Sequence, residues 1–384
     1  MKNKSAVKKY AINAVIVVVF AALSFYYLTK TDVINEESLK SVNAARFFAV
    51  FLYAVLAFLL AAGVDAVVYR TCFKGFGYGK CVINQFIGNL GSNVTPLKSG
   101  HFPLMAYYQH RSGVKIGDTV TALVKCQVIY SVSSMFTYSV MTVILAVTGY
   151  AVNFYGTTVP LWAATTVGLV FHAGTFGAIA LLSFFKNVQD KYVNAYAQVY
   201  CKFKKTADKN EIIKAKTDKL AVYRSEITAV FTDFTKTLPA FLLYAVYMPI
   251  AGTCQYAAYL AVTGGAFGAE EFFTFYALSL AVGYMTNVIP VPGGVGTAEV
   301  LFVAIFGNAI ASDVIGSVLL LWRLSSFYSL VPAELLLFAL ATLIGDGKRR
   351  EIKSEGFCEN SNAGTEQGDA SRGGDLSENK FTEK

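Results

Sequence analysis

The sequence predicts an all-α protein that crosses a membrane several times, and three observations support this prediction. Its 384 residues are 55% hydrophobic and only 15% charged, whereas soluble domains are roughly a quarter charged. The apolar residues cluster in runs of about 20 or more, the length needed to cross a hydrocarbon core about 30 Å thick. Two shorter apolar stretches end at proline and glycine clusters, which break membrane helices.

Six apolar runs are long enough to be full spans. The first, 10–28, follows four lysines and lacks a clear A-x-A cleavage site, so we predict an uncleaved span rather than a signal peptide. The remaining predicted spans are 44–68, 119–147, 160–185, 238–262 and 312–344. The two shorter stretches are 81–94 and 271–289.

The distribution of lysine and arginine predicts the orientation, because basic residues in short loops stay in the cytoplasm. They are concentrated before residue 10, in 70–115, in 187–236 and at 348–350. All four segments are cytoplasmic only if each short stretch enters and leaves the membrane on the same side. We therefore predict about six full spans plus two re-entrant broken-helix hairpins, with both termini cytoplasmic.

Two segments differ from the membrane domain, which we predict to cover 1–345. In 187–236, apolar residues recur at spacings of three, four and seven, which indicates a helix. We expect a basic amphipathic helix or helical hairpin on the inner leaflet, with a partner-binding site as the alternative. Residues 346–384 are rich in Glu, Asp, Ser, Asn and Gly, which predicts a disordered cytoplasmic tail.

An internal repeat relates the two short stretches. SNVTPLKSG at 92–100 matches TNVIPVPGG at 286–294 at Asn, Val, Pro and Gly. Each copy is preceded by a span and followed by a long helix that bears a cation, Lys125 or Arg323. Because the charge rule places the hairpins on opposite sides, we predict inverted-topology repeats at about 44–147 and 238–345, as in many secondary transporters.

The breaks within the repeats are the predicted substrate site, since irregular backbone at membrane depth is tolerated where it lines a cavity. The half-helix after each break directs its N-terminal N–H groups at that cavity, which suits phosphate. The candidate substrate-binding residues lie at the breaks or on the helices after them: Asn93, Pro96, Gly100, Lys125, Asn287, Pro290, Gly293, Gly294, Gly296, Glu299 and Arg323.

Each of these assignments has an alternative. The breaks could serve only to let the hairpins turn, and Lys125 could extend to the inner surface as an anchor. Glu299 suits the helix dipole on its own and equally suits pairing with a cation. Arg323 favours bidentate contact with phosphate. Asp65 is predicted to pair with Arg70.

Catalytic, metal and cofactor sites are not predicted. The six cysteines form no C-x-x-C pair, and the three histidines are too scattered for a zinc motif. The net charge of +8 comes from loops where membrane topology favours basic residues, so we expect no nucleic-acid partner.

The segment PVPGGVGTAE at 290–299, followed by Arg323, resembles the lysylphosphatidylglycerol synthase transmembrane-region family. That family includes the flippase half of the multiple peptide resistance factor. TPLKSGH at 95–101, leading into GVKIGD at 113–118, is similar to the family's first motif, although Ser99-Gly100 stands where a Gly-Gly pair is usual.

The resemblance implies work on a membrane phospholipid. We expect a translocase or lipid-binding transporter of the plasma membrane that moves an anionic or aminoacylated lipid, such as lysylphosphatidylglycerol, between leaflets and contributes to cationic peptide resistance. One alternative is a phosphatidylglycerol lysyltransferase, although 187–236 is too short for a transferase fold and only about forty residues follow Ile344. The other is a membrane scaffold for a separate lipid-modifying synthase.

Overall fold

The computed structural model describes residues 33–154, 157–203 and 209–344, together with positions 22, 26, 29 and 30. The predicted first span and the predicted tail lie outside these continuous ranges. Within them the chain is almost entirely helical. The elements that precede the second half are α1 (Glu36–Ser41), α2 (Ala44–Arg70), α3 (Tyr78–Val94), α4 (His101–Arg111), α5 (Ile116–Thr148), β1 (Ala151–Phe154), β2 (Thr157–Pro160), α6 (Leu161–Phe184), α7 (Lys186–Phe203) and α8 (Lys209–Thr232).

The second half of the chain, from Phe234 to Ile344, has a similar order of helices. It contains α9 (Phe234–Gly252), α10 (Cys254–Thr263), α11 (Ala269–Val288), α12 (Thr297–Phe306), α13 (Ile315–Arg323), a π-helical turn (Leu324–Tyr328) and α14 (Leu330–Ile344). Five segments of the described chain are long and apolar enough to cross a membrane, namely α2, α5, α6, α9 and the combined stretch Ile315–Thr342.

The predicted span 238–262 is two helices instead of one. The helix α9 ends at Gly252 and α10 begins at Cys254. Pro249 lies in the last turn of α9 and cannot donate a backbone hydrogen bond, and its carbonyl oxygen accepts from Thr253 Oγ1 at 2.5 Å. Gly252 packs against the Tyr276 ring, where a β-carbon has no room. The helix therefore stops before the apolar run does.

The helices α3 and α4 form the first hairpin, and they run antiparallel. Gly91 faces Gly100, while a β-carbon on Gly88 would lie 2.7 Å from Met105 Cγ. Farther from the break, Asn84 and Gln109 both donate to the hydroxyl of the same tyrosine, Tyr69. Residues that face each other are therefore farther apart in the sequence the farther they lie from the break, as in any helical hairpin.

The helices α11 and α12 form the second hairpin in the same way. Near its break, Gly294 packs against the Thr286 side chain. Toward the open end, the rings of Phe275 and Phe306 have centroids 5.2 Å apart. The break itself contains one short helical turn, Pro292–Gly294, which corresponds to the turn Pro96–Lys98 in the first hairpin.

The two breaks meet inside the protein. A β-carbon on Gly293 would lie 3.2 Å from the carbonyl oxygen of Asn93 and 2.6 Å from the Phe327 ring. The buried side chains form two large hydrophobic clusters. One contains Phe302 and Phe306 together with Val50 and Leu145, and the other contains Tyr69 and Phe73.

The basic segment 187–236 consists of the helices α7 and α8 and the start of α9 as far as it is described. Ile227 and Val230 of α8 are buried in the cluster around Tyr69, and Val230 also accepts a hydrogen bond from Thr237 Oγ1 at 2.7 Å. Thus α8 packs against the helical body. A two-stranded hairpin, β1–β2, joins α5 to α6, and its short strands carry no apolar run that predicts them.

Candidate functional site

A cavity of about 440 Å³ lies between the two hairpins. Its volume falls within the range of about 300–1,000 Å³ that is typical of ligand pockets. Asn93 of the first hairpin and Asn287 of the second both line it, and Ala54, Ala57 and Ala61 of α2 form a smooth wall. Much of the remaining lining is polar, which is unusual inside a body built from apolar helices.

Three amide side chains of α3 form one stripe along the cavity. Gln85, Asn89 and Asn93 are spaced four residues apart, so they share one face of the helix, and all three line the cavity. We call them the amide stripe. Gln85 Nε2 donates to Asp65 at 2.9 Å, and Asn89 and Asn93 donate to Glu334 at 2.6 and 3.1 Å.

Asp65 and Glu334 are therefore held by uncharged donors. Asp65 accepts from Tyr69 OH at 3.1 Å as well as from Gln85, and the predicted pair with Arg70 is wrong. Both carboxylates are buried, with exposed fractions of 2% and 0%. In the described part of the chain, no lysine or arginine forms an ion pair with either of them.

A carboxylate at the second break is compensated in a different way. Arg323 Nε contacts Glu299 Oε1 at 2.7 Å, in a pair that is almost completely buried. Tyr328 OH donates to the same oxygen at 3.0 Å, and the backbone N–H of Gly296 donates to Oε2 at 2.7 Å. Glu299 thus both caps α12 and pairs with a cation, so both interpretations of this residue apply.

The surroundings of Arg323 limit what it can bind. Its guanidinium lies over the Phe327 ring, 4.2 Å from the centroid, and the π-helical turn brings Tyr328 to the same carboxylate. Only Nη2 is buried without a hydrogen-bond partner among the described residues. At the N-terminus of α12, Glu299 supplies the negative charge that the sequence analysis assigned to a phosphate.

The first break presents a cation to the cavity instead. Lys98 lines the cavity and its side chain is exposed, while His101 also lines it and contacts Ser92 Oγ at 3.1 Å through Nδ1. Leu97 and Lys98 have φ values of 53° and 54°. Left-handed backbone is rare in residues other than glycine and costs of the order of 1–3 kcal/mol per residue.

Comparison with known families found a match. The family described as "Lysylphosphatidylglycerol synthase TM region" matches residues 10–333. The chain belongs to this family. The match covers both hairpins, the cavity and most of the last apolar stretch. A comparison with curated proteins found no match.

Membership in the lysylphosphatidylglycerol synthase TM family establishes a membrane protein in lysylphosphatidylglycerol biology. The five long apolar helices agree with this assignment. The resemblance that the sequence analysis drew from residues 290–299 is confirmed, and those residues build the second break and the start of α12.

In this family member most of the candidate residues lie in the cavity wall or in the two breaks. Asn93 and Asn287 line the cavity. Pro96 and Gly100 lie in the first break, whereas the second break contains Pro290, Gly293, Gly294 and Gly296. Glu299 lies in the first turn of α12, directly after the second break, and contacts Arg323. Neither residue lines the cavity.

Lys125 is the one candidate that lies apart from the breaks. Its Nζ donates to Thr71 Oγ1 at 3.3 Å, where α2 has just ended, and the residue is buried with an exposed fraction of 4%. It does not line the cavity. The counterpart suggested by the repeat therefore has a different environment from Arg323.

Three further polar groups of the cavity wall are unsatisfied. Gln255 Oε1, Tyr276 OH and Ser279 Oγ are buried and have no hydrogen-bond partner among the described residues. A buried polar atom without a partner costs about 1–3 kcal/mol, and such atoms are normally satisfied by water or a ligand. Together with Lys98 and the amide stripe, these groups give the cavity wall a polar character.

Sequence patterns do not predict most of the cavity lining. They place Lys98 in a motif without a predicted contact to substrate, and they do not place four tyrosines in the wall, namely Tyr130, Tyr138, Tyr247 and Tyr276. The amide stripe did carry a signal, because three amides at a spacing of four in an apolar helix form a polar face. The tyrosines carried none, since aromatic residues are frequent throughout the chain.

Proposed function

We propose that this protein is a lipid translocase that moves an aminoacylated or anionic phospholipid between the leaflets of the plasma membrane. One observation carries the proposal: a polar cavity lies between the hairpins, with a lysine and unsatisfied polar atoms in its wall. In an apolar body, such a cavity suits a lipid headgroup whose acyl chains remain in the bilayer.

The chemistry of the two sides of the cavity fits a headgroup that carries both signs of charge. Lys98 at the first break supplies a cation for a phosphate. The amide stripe supplies acceptors, because a carboxylate accepts but does not donate, so its amide partners present N–H groups to it. Their carbonyl oxygens then serve an ammonium group on the cavity side. A lysyl ester of phosphatidylglycerol has both groups.

The transport mechanism we propose is a rocking motion of two inverted repeats around the cavity. The antiparallel hairpins and the contact between Gly293 and Asn93 support it, since a membrane hairpin with a buried break is the usual site in such transporters. In this arrangement both termini and Arg111 face the cytoplasm. A single cysteine at position 111 of a cysteine-free variant tests this, and labelling from outside intact cells would exclude a re-entrant first hairpin.

The function itself is testable in vesicles. Purified protein is reconstituted with fluorescent lysylphosphatidylglycerol or phosphatidylglycerol, and an impermeant quencher reports the outer-leaflet fraction with time. We expect Lys98→Gln to slow translocation of either lipid at least about tenfold, since a charge-assisted contact contributes about 1.5–3 kcal/mol.

The control for this experiment is Lys186→Gln, which makes the same change at an exposed lysine of α7. It should translocate lipid at the wild-type rate. A wild-type rate no faster than that of protein-free vesicles would disprove the translocase. An unchanged rate for Lys98→Gln would remove the lysine from the proposed headgroup site.

A parallel assay addresses the lysyltransferase alternative. The same purified protein is incubated with lysyl-tRNA and phosphatidylglycerol, and the lipids are separated and quantified. We expect no tRNA-dependent lysyl lipid. Robust formation of that product would assign the protein a synthase role instead.

A further inference from the structure

Glu334 is the most deeply buried carboxylate beside the cavity. It lies on α14, within the apolar stretch Ile315–Thr342, and its exposed fraction is 0%. Asn89 Nδ2 donates to one of its oxygens at 2.6 Å, and Asn93 Nδ2 donates to the other at 3.1 Å. Both asparagines line the cavity, so each of them bridges Glu334 and the space in which an occupant would bind.

The charge of this carboxylate lacks the compensation that Glu299 has. Glu299 contacts a guanidinium, a backbone N–H and a phenol, whereas the bonds recorded for Glu334 come from two neutral amides. An ionisable group within a membrane segment is costly unless it is paired, and a proton removes that cost. Since nitrogen donors occupy both oxygens, a proton suits the site better than a metal cation, which needs oxygen ligands.

We propose that Glu334 is a proton-binding site whose occupancy alternates with binding of a cationic lipid headgroup in the cavity. This inference rests on the proposed translocase and adds an energy source to it. When Glu334 is ionised, Asn89 and Asn93 direct their N–H groups to it and offer carbonyl oxygens to an ammonium group. When Glu334 binds a proton, its O–H needs an acceptor.

That acceptor is one of the two asparagines. An amide that accepts from the Glu334 O–H has turned its oxygen away from the cavity and its NH₂ group toward it. In the first orientation the carbonyl oxygen attracts an ammonium group in the cavity, whereas in the second the NH₂ group repels it. Proton binding therefore disfavours the cationic headgroup, and headgroup binding favours release of the proton. No covalent bond other than the O–H bond is made or broken.

Titratable groups on the neighbouring elements do not replace this role. Tyr107 of α4 contacts Phe338, one turn beyond Glu334 on α14. Tyr328 and Arg323, next to α14, are engaged with Glu299. Lys98 lies in the first break and His101 begins α4, and both residues line the cavity. In the described structure none of these side chains forms a hydrogen bond with Glu334.

The exchange has a definite stoichiometry for lysylphosphatidylglycerol. Its single phosphate and two ammonium groups give a net charge of +1, so one lipid exchanged for one proton is electroneutral. At equilibrium, one unit of pH difference across the membrane then changes the ratio of this lipid between leaflets about tenfold, the factor that corresponds to 1.36 kcal/mol. Phosphatidylglycerol has no ammonium group, so its distribution should not respond.

Reconstituted vesicles in sodium-free buffer test the proposal. A pH difference of one unit is imposed, and the leaflet ratio of fluorescent lysylphosphatidylglycerol is measured with a trapped pH dye present. We expect a shift of about tenfold in the wild-type protein, accompanied by proton movement. Glu334→Gln should abolish the shift. Glu334→Asp keeps a carboxylate and should retain the shift even if the rate falls.

The control is Glu37→Gln, at an exposed position of α1, which should respond as the wild type does. Translocation by the wild type without a pH response or proton movement would overturn this inference and leave the translocase intact. A response to a sodium gradient instead would also overturn it. If Glu334→Gln remains folded but moves neither lipid, the carboxylate serves the cavity in general and the inference is wrong. Failure of the wild type to move any lipid would disprove the proposed function itself.

Discussion

The two breaks share a sequence pattern, Asn-Val-x-Pro followed by glycine, but they differ in backbone and charge. At the second break, glycines 293, 294 and 296 take the positive φ values, and Glu299 is paired with Arg323. At the first break, Leu97 and Lys98 take positive φ values, and the nearby carboxylate is held by the neutral amides Asn89 and Asn93. At the second break, therefore, only glycines have positive φ values, and the buried carboxylate is paired with an arginine.

This difference indicates a division of work between the hairpins. A compensated ion pair with glycines at the strained positions favours a fixed scaffold. Left-handed non-glycine residues mark strain, which tends to be retained where it serves function, and Lys98 places a charge in the cavity. We therefore interpret the first hairpin as the part that responds to substrate and the second as its support.

The largest loss of stability should come from removing the arginine of the Glu299–Arg323 pair. Arg323→Gln leaves Glu299 as a buried charge without a cation, and removing one partner of a buried pair costs about 3–5 kcal/mol. Thermal unfolding in detergent measures this loss. The matched control is Lys236→Gln, which removes an exposed pair with Asp233 and should cost about 0–1 kcal/mol. Equal unfolding temperatures for the two variants would contradict the scaffold interpretation.

A smaller effect is expected from Gly294→Ala at the same break. Gly294 has a φ of 62°, and a β-carbon there meets the Thr286 side chain. Left-handed backbone alone costs an alanine about 1–2 kcal/mol, and the crowding adds to it. Gly117→Ala is the control, because a β-carbon at that helical position meets nothing within 4 Å. The comparison fails if the two alanine variants unfold at the same temperature.

The smallest effect on stability is expected at Leu97, and its sign is the opposite. Leu97→Gly relieves left-handed strain of about 1–2 kcal/mol and loses about 0.5–1 kcal/mol through the flexibility of glycine. The variant should therefore be unchanged or stabilised slightly, by up to about 1.5 kcal/mol. If the strain serves translocation, lipid movement should slow although stability does not fall. A variant that is less stable and translocates at the wild-type rate would show that the first break is merely an irregular turn.

Local patterns predicted much of the architecture, and distant contacts explain the rest. The ranges 44–68, 119–147 and 160–185 were predictable because apolar length alone defines them. Apolar length does not predict the interruption after Gly252, since the residues of the predicted span remain apolar beyond it; Pro249 is a local signal, and the contact of Gly252 with Tyr276 is a distant one. In the site, the bond between Asn89 and Glu334 joins residues 245 positions apart, and no helical periodicity predicts such a contact.

The repeat was informative about position and misleading about environment. Asn93 and Asn287, which it aligns, both line one cavity, because both lie where the helices break. It also paired Lys125 with Arg323, yet one lies beside Thr71 and the other beside Glu299. Repeated sequence preserves backbone geometry more closely than it preserves the neighbours of a side chain, which come from elements outside the repeat.

The amide stripe also constrains how this protein can change during evolution. Its three members share a face only because four residues separate each from the next. Inserting or deleting one residue between Gln85 and Asn93 rotates part of α3 by about 100° relative to the remainder. Such a change would separate the amides from Asp65 or from Glu334 without replacing any of them. Selection should therefore preserve the length of this segment in related proteins, even where its individual amides have been substituted.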